Sequence, residues 1–225
     1  MTPVLLILTA ISAGGMFWFW GRLREGRRAD HIRRYRFPDG LLDRLGERHP
    51  GLSLKDRQLV ARGLRLFFLA YLRGGRRFVS MPSQVVDDLW HEFILYTRHY
   101  DRFCDEAFGR FFHHTPAAVL GGNRQHNAGL RRVWWFSCLE ENIAPLKPTR
   151  LPLLFALDAK LNIPNGFRYQ LDCSGARREG DASSSGSHCA GDFSDSSYDG
   201  TTDGLGDGSD GGGSDGGCGG GCGGD

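Results

Sequence analysis

The sequence lacks the short motifs that mark several common enzyme classes. It contains no Walker-type phosphate loop and no His-Glu-x-x-His helix motif of zinc peptidases. Each motif places reactive groups on one turn or one helix face, so its absence argues against the enzymes that depend on it. The sequence therefore favours a protein-interaction module over an enzyme.

Cysteine is also scarce, and its placement excludes the disulfide framework of a small secreted domain. Two of the six cysteines stand in apolar helical contexts, and four stand in or near the C-terminal tail. They are Cys104, Cys138, Cys173, Cys189, Cys218 and Cys222. We therefore expect a reducing compartment.

Alternating strand patterns are absent from residues 37–173, apart from one short extended candidate at 76–81. Apolar residues recur there at a spacing of three and four, which predicts helices. Ser53 with Asp56, close to a capping box, and Pro82 mark two helix starts. The predicted helices are a short one before Pro50 and longer ones over about 54–73, 82–104, 124–143 and 151–163. We therefore predict an all-α domain of five or six helices over residues 37–173.

An apolar run lies at the N-terminus. Residues 3–20 carry no charge, and about 20 apolar residues span a bilayer as a helix. Four aromatic residues end the run, and an arginine-rich segment follows. This pattern predicts a single-pass transmembrane anchor over residues 1–20 and a basic juxtamembrane linker over 21–36. By the positive-inside rule, the N-terminus would lie outside and the main domain in the cytoplasm. A cleaved signal peptide is the alternative, but it fits the aromatic and basic sequel poorly.

The net charge of +2 conceals two regions of opposite sign. Residues 174–225 hold ten acidic and two basic residues, a net charge of −8, so the rest of the chain carries +10. This Gly-, Ser- and Asp-rich tail is predicted to be disordered, and its Cys218 and Cys222 are too few for a four-ligand metal site. An acidic tail on a basic body is typical of self-shielding or of contact with a partner.

The basic residues do not follow a pattern typical of nucleic-acid binding. The stretch 130–136 combines arginines with aromatic residues, which could stack on bases. Trp134, however, stands at core spacing, and the arginines are scattered along the chain. We therefore expect a protein partner and a membrane anchor, and no nucleic acid.

The predicted helix over 82–104 carries the candidate site. At 100° per residue, Asp87 and His91 lie one turn apart opposite the apolar face, Trp90 lies on a flank, and Cys104 lies on the core face. A carboxylate four residues before a histidine can accept the ring N–H of that histidine. This hydrogen bond fixes the tautomer of the ring, as is seen for metal-bound and catalytic histidines. The same pair is also an ordinary helical contact worth roughly 0.2–0.5 kcal/mol, so the spacing leaves both interpretations open.

Two further histidines, His113 and His114, follow this helix in a loop. If the loop folds back along the helix, either histidine could meet His91. Two or three histidines with Asp87 would make a zinc or iron site, on which a water could be activated for hydrolysis. None of the sequence motifs requires a cofactor. The metal-site alternative implies zinc or iron.

The stretch from Val85 to Pro116 resembles the core motif of the glycine-rich domain-containing protein-like family of plants and bacteria. The matching positions are Asp87, Trp90, His91, Ile94, Tyr100, Cys104, Phe108, Gly109, His113 and His114. The resemblance implies a structural or functional role for Asp87 and His91, but it supplies no chemistry. Plant members often carry a second histidine where this chain has Phe93, which puts a site that needs both histidines in doubt.

Two functional hypotheses result. The first is a membrane-anchored cytoplasmic helical domain that acts as a protein-interaction module. The alternative is a metal-dependent enzyme or metal-binding site centred on Asp87 and His91, with His113 or His114 as further ligands. The candidate functional motif consists of Asp87, Trp90, His91, Tyr100 and Cys104.

Overall fold

The computed structural model describes residues 3–114, 124–171 and 187–189. Within these residues the chain is mostly helical, as predicted, with seven helices and one pair of three-residue strands. The helices are α1 (Pro3–Arg34), α2 (Leu41–Arg48), α3 (Leu54–Arg73), α4 (Gln84–Leu95), α5 (Thr97–Phe108), α6 (Arg124–Glu140) and α7 (Leu153–Lys160). The strands are β1 (Arg168–Gln170) and β2 (Ser187–Cys189).

Helix α3 forms the centre of the domain and packs against α1, α2, α4, α6 and α7. It begins at the predicted capping box, in which the Asp56 N–H donates to the Ser53 hydroxyl and the Ser53 N–H donates to the Asp56 carboxylate. Its residues 66–72 are all buried. A helix that is buried around its whole circumference must be covered on every side, which explains its central place.

Helix α1 corrects the predicted organisation of the N-terminus. In the part of the chain that the structure describes, no helix is long and apolar enough to cross a membrane. The predicted transmembrane anchor over 1–20, its single-pass topology and the orientation derived from it are therefore contradicted.

The far end of α1 belongs to the helical domain. The segment 21–36, predicted as a linker, continues α1 without a break as far as Arg34. Ala29 and Ile32 on this part are buried in the common hydrophobic core. The arginine-rich sequence is therefore carried on a helix of which one side packs on the domain.

The predicted helix over 82–104 is two helices. Helix α4 ends at Leu95 and α5 begins at Thr97, with Tyr96 between them at φ −79° and ψ 57°. Neither Gly nor Pro marks this break in the sequence. The wheel angles drawn for one continuous helix do not hold across it, and Trp90, predicted on a flank, is only 3% exposed.

A buried carboxylate fixes the start of α4. Asp158 of α7 is 1% exposed and accepts four hydrogen bonds. Its donors are the Ser83 hydroxyl at 2.7 Å and the N–H groups of Gln84, Val85 and Phe167 at 2.7, 3.2 and 2.9 Å. The first N–H groups of a helix have no partner within it, and the helix dipole favours a negative charge there. Helix α7 therefore sets the position of α4 and of its functional side chains.

The two strands join distant parts of the sequence. They pair in parallel, with His188 opposite Tyr169. Three-residue strands leave no alternating pattern to read, and the extended candidate at 76–81 is not a strand. Strand β2 belongs to the segment 174–225, whose predicted disorder otherwise concerns residues outside the described part of the chain.

Candidate metal centre

Asp87 and His91 lie one turn apart on α4. His91 Nδ1 is 3.0 Å from the backbone carbonyl oxygen of Asp87 and 3.4 Å from its carboxylate Oδ2. A carbonyl oxygen can only accept a hydrogen bond, so Nδ1 is the donor. The neutral His91 ring then keeps a lone pair on Nε2, the atom available to a metal ion. This side chain is 44% exposed, which leaves it open to solvent.

The chain returns to α4 through a turn at Gly109. This residue adopts the left-handed conformation, with φ 70°, and its N–H bonds to the carbonyl oxygens of Cys104 and Asp105. Glycine is favoured at such a helix end because it has no Cβ to strain. The next residues run back toward α4, and His114 Nε2 lies 2.8 Å from Asp87 Oδ1. The turn thereby adds a second histidine to the Asp87–His91 pair.

Aromatic residues hold this returning segment in place. The Trp90 indole N–H donates to the Tyr100 hydroxyl at 3.1 Å, and that hydroxyl donates to the Phe112 carbonyl oxygen. The Phe112 ring stacks on Tyr71 at 3.7 Å, and the Trp90 ring meets the edge of His114 at 4.5 Å. Burial raises the pKa of Tyr100, so its hydroxyl remains a donor at neutral pH. Trp90 and Tyr100 therefore position His114 and are not ligand candidates.

Two other predicted site residues stand apart from this cluster. Cys104 is fully buried on the core side of α5, and burial raises the pKa of its thiol, which disfavours the thiolate that metals bind. His113 is exposed, and its ring packs near Phe111 at 4.8 Å. Of the two histidines that the sequence left open, the structure brings His114 to Asp87.

Asp87, His91 and His114 form a group that can hold a metal ion. One ligand atom from each lies within 4.8 Å of the others. The side chains of Asp87 and His114 are 21% and 10% exposed, so they form the inner wall, and His91 forms the open side. Two imidazoles and one carboxylate match the donor sets of three-ligand zinc sites and of non-haem iron(II) sites, both of which keep positions open. A divalent cation would displace the proton that His114 shares with Asp87.

A second aspartate–histidine pair lies next to this cluster. Asp88 Oδ2 is 2.8 Å from Nε2 of His49, the residue after α2. Arg48 lies 3.4 Å from Asp88 and 3.7 Å from Glu92. The Asp88 carboxylate therefore already has a cationic partner. Sequence reasoning missed the pair because His49 is 39 residues upstream, and no local spacing links it to α4.

Comparison with known proteins places the chain in a family. A family described as UCP032817-like matches residues 27–193, more than half of the chain. The chain belongs to the UCP032817-like family. This is an uncharacterised family, so membership brings a helical domain and no biochemical role. No curated protein and no solved structure matches the chain.

The family match corrects the resemblance drawn from the sequence. Membership of the glycine-rich domain-containing protein-like family is contradicted, and what it implied for Asp87, His91 and the Phe93 position does not carry over. The Asp-x-x-Trp-His pattern behind it is short, and its Trp90 fills a buried packing position. The structural case for the site therefore rests on the contacts of Asp87, His91 and His114 alone.

Proposed function

We propose that the protein binds one divalent metal ion, zinc or iron(II), between Asp87, His91 and His114. The observation that carries this proposal is the 2.8 Å contact of His114 with the carboxylate that also meets His91. Three protein ligands leave coordination positions for water or a substrate, as in catalytic rather than structural zinc sites. The proposed function is accordingly a metal centre with coordination positions that are open to water or a substrate.

The chemistry of such a centre would be that of a Lewis acid, which lowers the pKa of a coordinated water to about 7. Different residues of the chain would have different roles at this metal centre. Asp87 supplies charge and bridges the two histidines, and Trp90 with its partner Tyr100 keeps the His114 ring in place. His91 lies on the exposed side, where a substrate could approach.

A metal-free role for the same contacts is the competing interpretation. The hydrogen bond between His114 and Asp87 ties the returning segment to α4 without any ion, and such ties are ordinary. That role does not require His91, however, which lies on the solvent side of the pair. A metal site requires all three side chains, and this difference makes the two interpretations separable.

Zinc binding by the full chain tests the proposal. The chain, purified under reductant, is dialysed against zinc, and bound metal is measured by elemental analysis. We expect one zinc per chain, which is lost in His91→Ala and in His114→Ala. His49→Ala is the matched control, since it removes a histidine 2.8 Å from the neighbouring aspartate, and it should keep the metal. Absence of zinc from the unaltered chain, or equal zinc in all variants, would overturn the proposal.

The protein-interaction module favoured by the sequence is a second candidate. Residues 17–20 of α1 are four consecutive aromatic residues that are 57–84% exposed. Exposed apolar patches of this kind mark contact sites for partners. A photo-crosslinking amino acid in place of Trp18, used in intact cells, should give a protein adduct of defined mass. No adduct at Trp18, or the same adduct from the exposed control position Arg62, would count against this function.

A further inference from the structure

The last turns of α1 and the two residues after it, Tyr35 and Arg36, form a basic depression of about 500 Å³. Arg27, His31 and Arg34 are spaced four and three residues apart, which places them on one helix face. The lining residues are Arg27, Asp30, His31, Arg34, Tyr35 and Arg36. We call this surface the basic depression.

Positive charge in the basic depression is not balanced by its surroundings. Arg27, Arg34 and Arg36 are exposed, and among the described residues no carboxylate lies within ion-pair distance of them. The one acidic lining residue, Asp30, already pairs with Arg33 at 3.2 Å. The carboxyl end of a helix contributes roughly half a negative charge, much less than three guanidinium groups carry. The depression therefore attracts an anion.

His31 lies among these arginines and pairs with a carboxylate through one ring nitrogen. Its Nδ1 lies 3.3 Å from Glu106, which holds the ring in place. Its Nε2 is buried and has no hydrogen-bond partner among the described residues. When Nδ1–H donates to Glu106, the neutral ring leaves Nε2 as an acceptor, so the attraction of the depression for an anion comes from the three arginines and not from His31.

We propose that residues 190–225 of the same chain bind the basic depression through their aspartates. This segment contains eight aspartates and no lysine or arginine. They are Asp192, Asp195, Asp199, Asp203, Asp207, Asp210, Asp215 and Asp225. The charges of the two surfaces are thus opposite, and carboxylates are natural partners of guanidinium groups.

The segment is long enough to reach the basic depression from where it leaves the domain. Strand β2 ends at Cys189, beside Gln170. The 36 residues that follow can extend at most about 120 Å. A domain of this size has a radius of gyration of about 15 Å, so every part of its surface is within reach. Tethering also gives the segment an effective concentration in the millimolar range, an advantage over free anions in solution.

Chemical cross-linking of the full chain tests this proposal. The variant R27K/R34K/R36K keeps the charges and supplies primary amines. A carbodiimide then activates an aspartate carboxyl group, the amine attacks it, an amide bond forms, and the carbodiimide leaves as the urea with the elements of water. The matched variant R44K/R62K/R98K places three amines at arginines that are exposed elsewhere. Cross-linked peptides are identified and quantified by mass spectrometry.

We expect links from 190–225 to the altered positions of R27K/R34K/R36K, at least about fivefold more abundant than those in the matched variant. In 1 M NaCl, where the Debye length is about 3 Å, this excess should disappear. Equal yields in the two variants, or an excess that is insensitive to salt, would overturn the proposal. So would links that join two different chains, detected by mixing isotope-labelled and unlabelled protein.

Discussion

Asp87 and Asp88 are neighbours on α4, and each has a carboxylate oxygen 2.8 Å from a histidine that comes from another part of the chain. Asp88 also meets Arg48, a permanent cation. Asp87 meets His91 instead, and among the described residues no lysine or arginine pairs with it. Two contacts of equal length thus differ in chemistry. Only Asp87 combines a second imidazole with a negative charge that no permanent cation balances.

Both pairs depend on the position of α4, so the largest effect should come from Asp158. The substitution Asp158→Ala leaves the Ser83 hydroxyl and three backbone N–H groups without their acceptor. We expect the free energy of unfolding to fall by about 3 kcal/mol, measured by urea denaturation. Asp43→Ala, at a 76% exposed side chain, is the control and should change it by less than about 0.5 kcal/mol. Equal losses in the two variants would contradict the role given to Asp158.

The difference between the two pairs should appear directly when zinc is added. At a zinc concentration 100 times the dissociation constant, binding should raise the free energy of unfolding by about 2.7 kcal/mol. His114→Ala should gain nothing from zinc, and His49→Ala should gain as much as the unaltered chain. A similar gain in both variants would show that zinc does not distinguish Asp87 from Asp88.

The Asp87 cluster should also be sensitive to its aromatic support, which Asp88 does not share. Tyr100→Phe keeps the ring but removes the hydroxyl between the Trp90 N–H and the Phe112 carbonyl. We expect a loss of about 2 kcal/mol in the free energy of unfolding and, because His114 is held less firmly, roughly tenfold weaker zinc binding. Titration calorimetry measures the affinity. An unchanged affinity in a destabilised variant would remove Tyr100 from the account of the site.

The smallest effect should come from the cation beside Asp88. Arg48→Ala breaks two contacts of 3.4 and 3.7 Å at a side chain that is 47% exposed. Exposed ion pairs contribute about 0–1 kcal/mol, so thermal unfolding should shift by only a few degrees at most, and zinc binding should not change. A marked change in zinc affinity would mean that the two clusters are coupled.

The sequence predicts the two site residues that lie one turn apart on α4, and it does not determine which histidine from another part of the chain joins them. Asp87 and His91 follow from helical spacing, which depends only on residues within one turn. His114 could not be separated from His113, because its contact depends on the turn at Gly109 and on the length of the return. The pairing of Asp88 with His49 left no sequence signal, since it joins helices that are distant in the chain.

The same distinction holds for the fold. The helix start at Ser53 and the helical class follow from local patterns, and both are confirmed. The break at Tyr96 has no Gly or Pro to mark it, so spacing predicted one helix where there are two. Asp158 was detectable as the one acid within the apolar run 151–159, but its partners on α4 are about 75 residues away. The membrane anchor was predicted from an uncharged run with aromatic and arginine-rich flanks, and the described part of α1 does not support it.

The ligands of bound zinc are the most direct test of the central claim. X-ray absorption spectroscopy of the zinc-loaded full chain counts imidazole, oxygen and sulfur ligands around the ion. We predict two imidazoles and oxygen ligands at about 2.0–2.2 Å around the zinc of the unaltered chain. Sulfur ligands at about 2.3 Å would place the metal on cysteines such as Cys218 and Cys222, and would contradict a centre built from Asp87, His91 and His114.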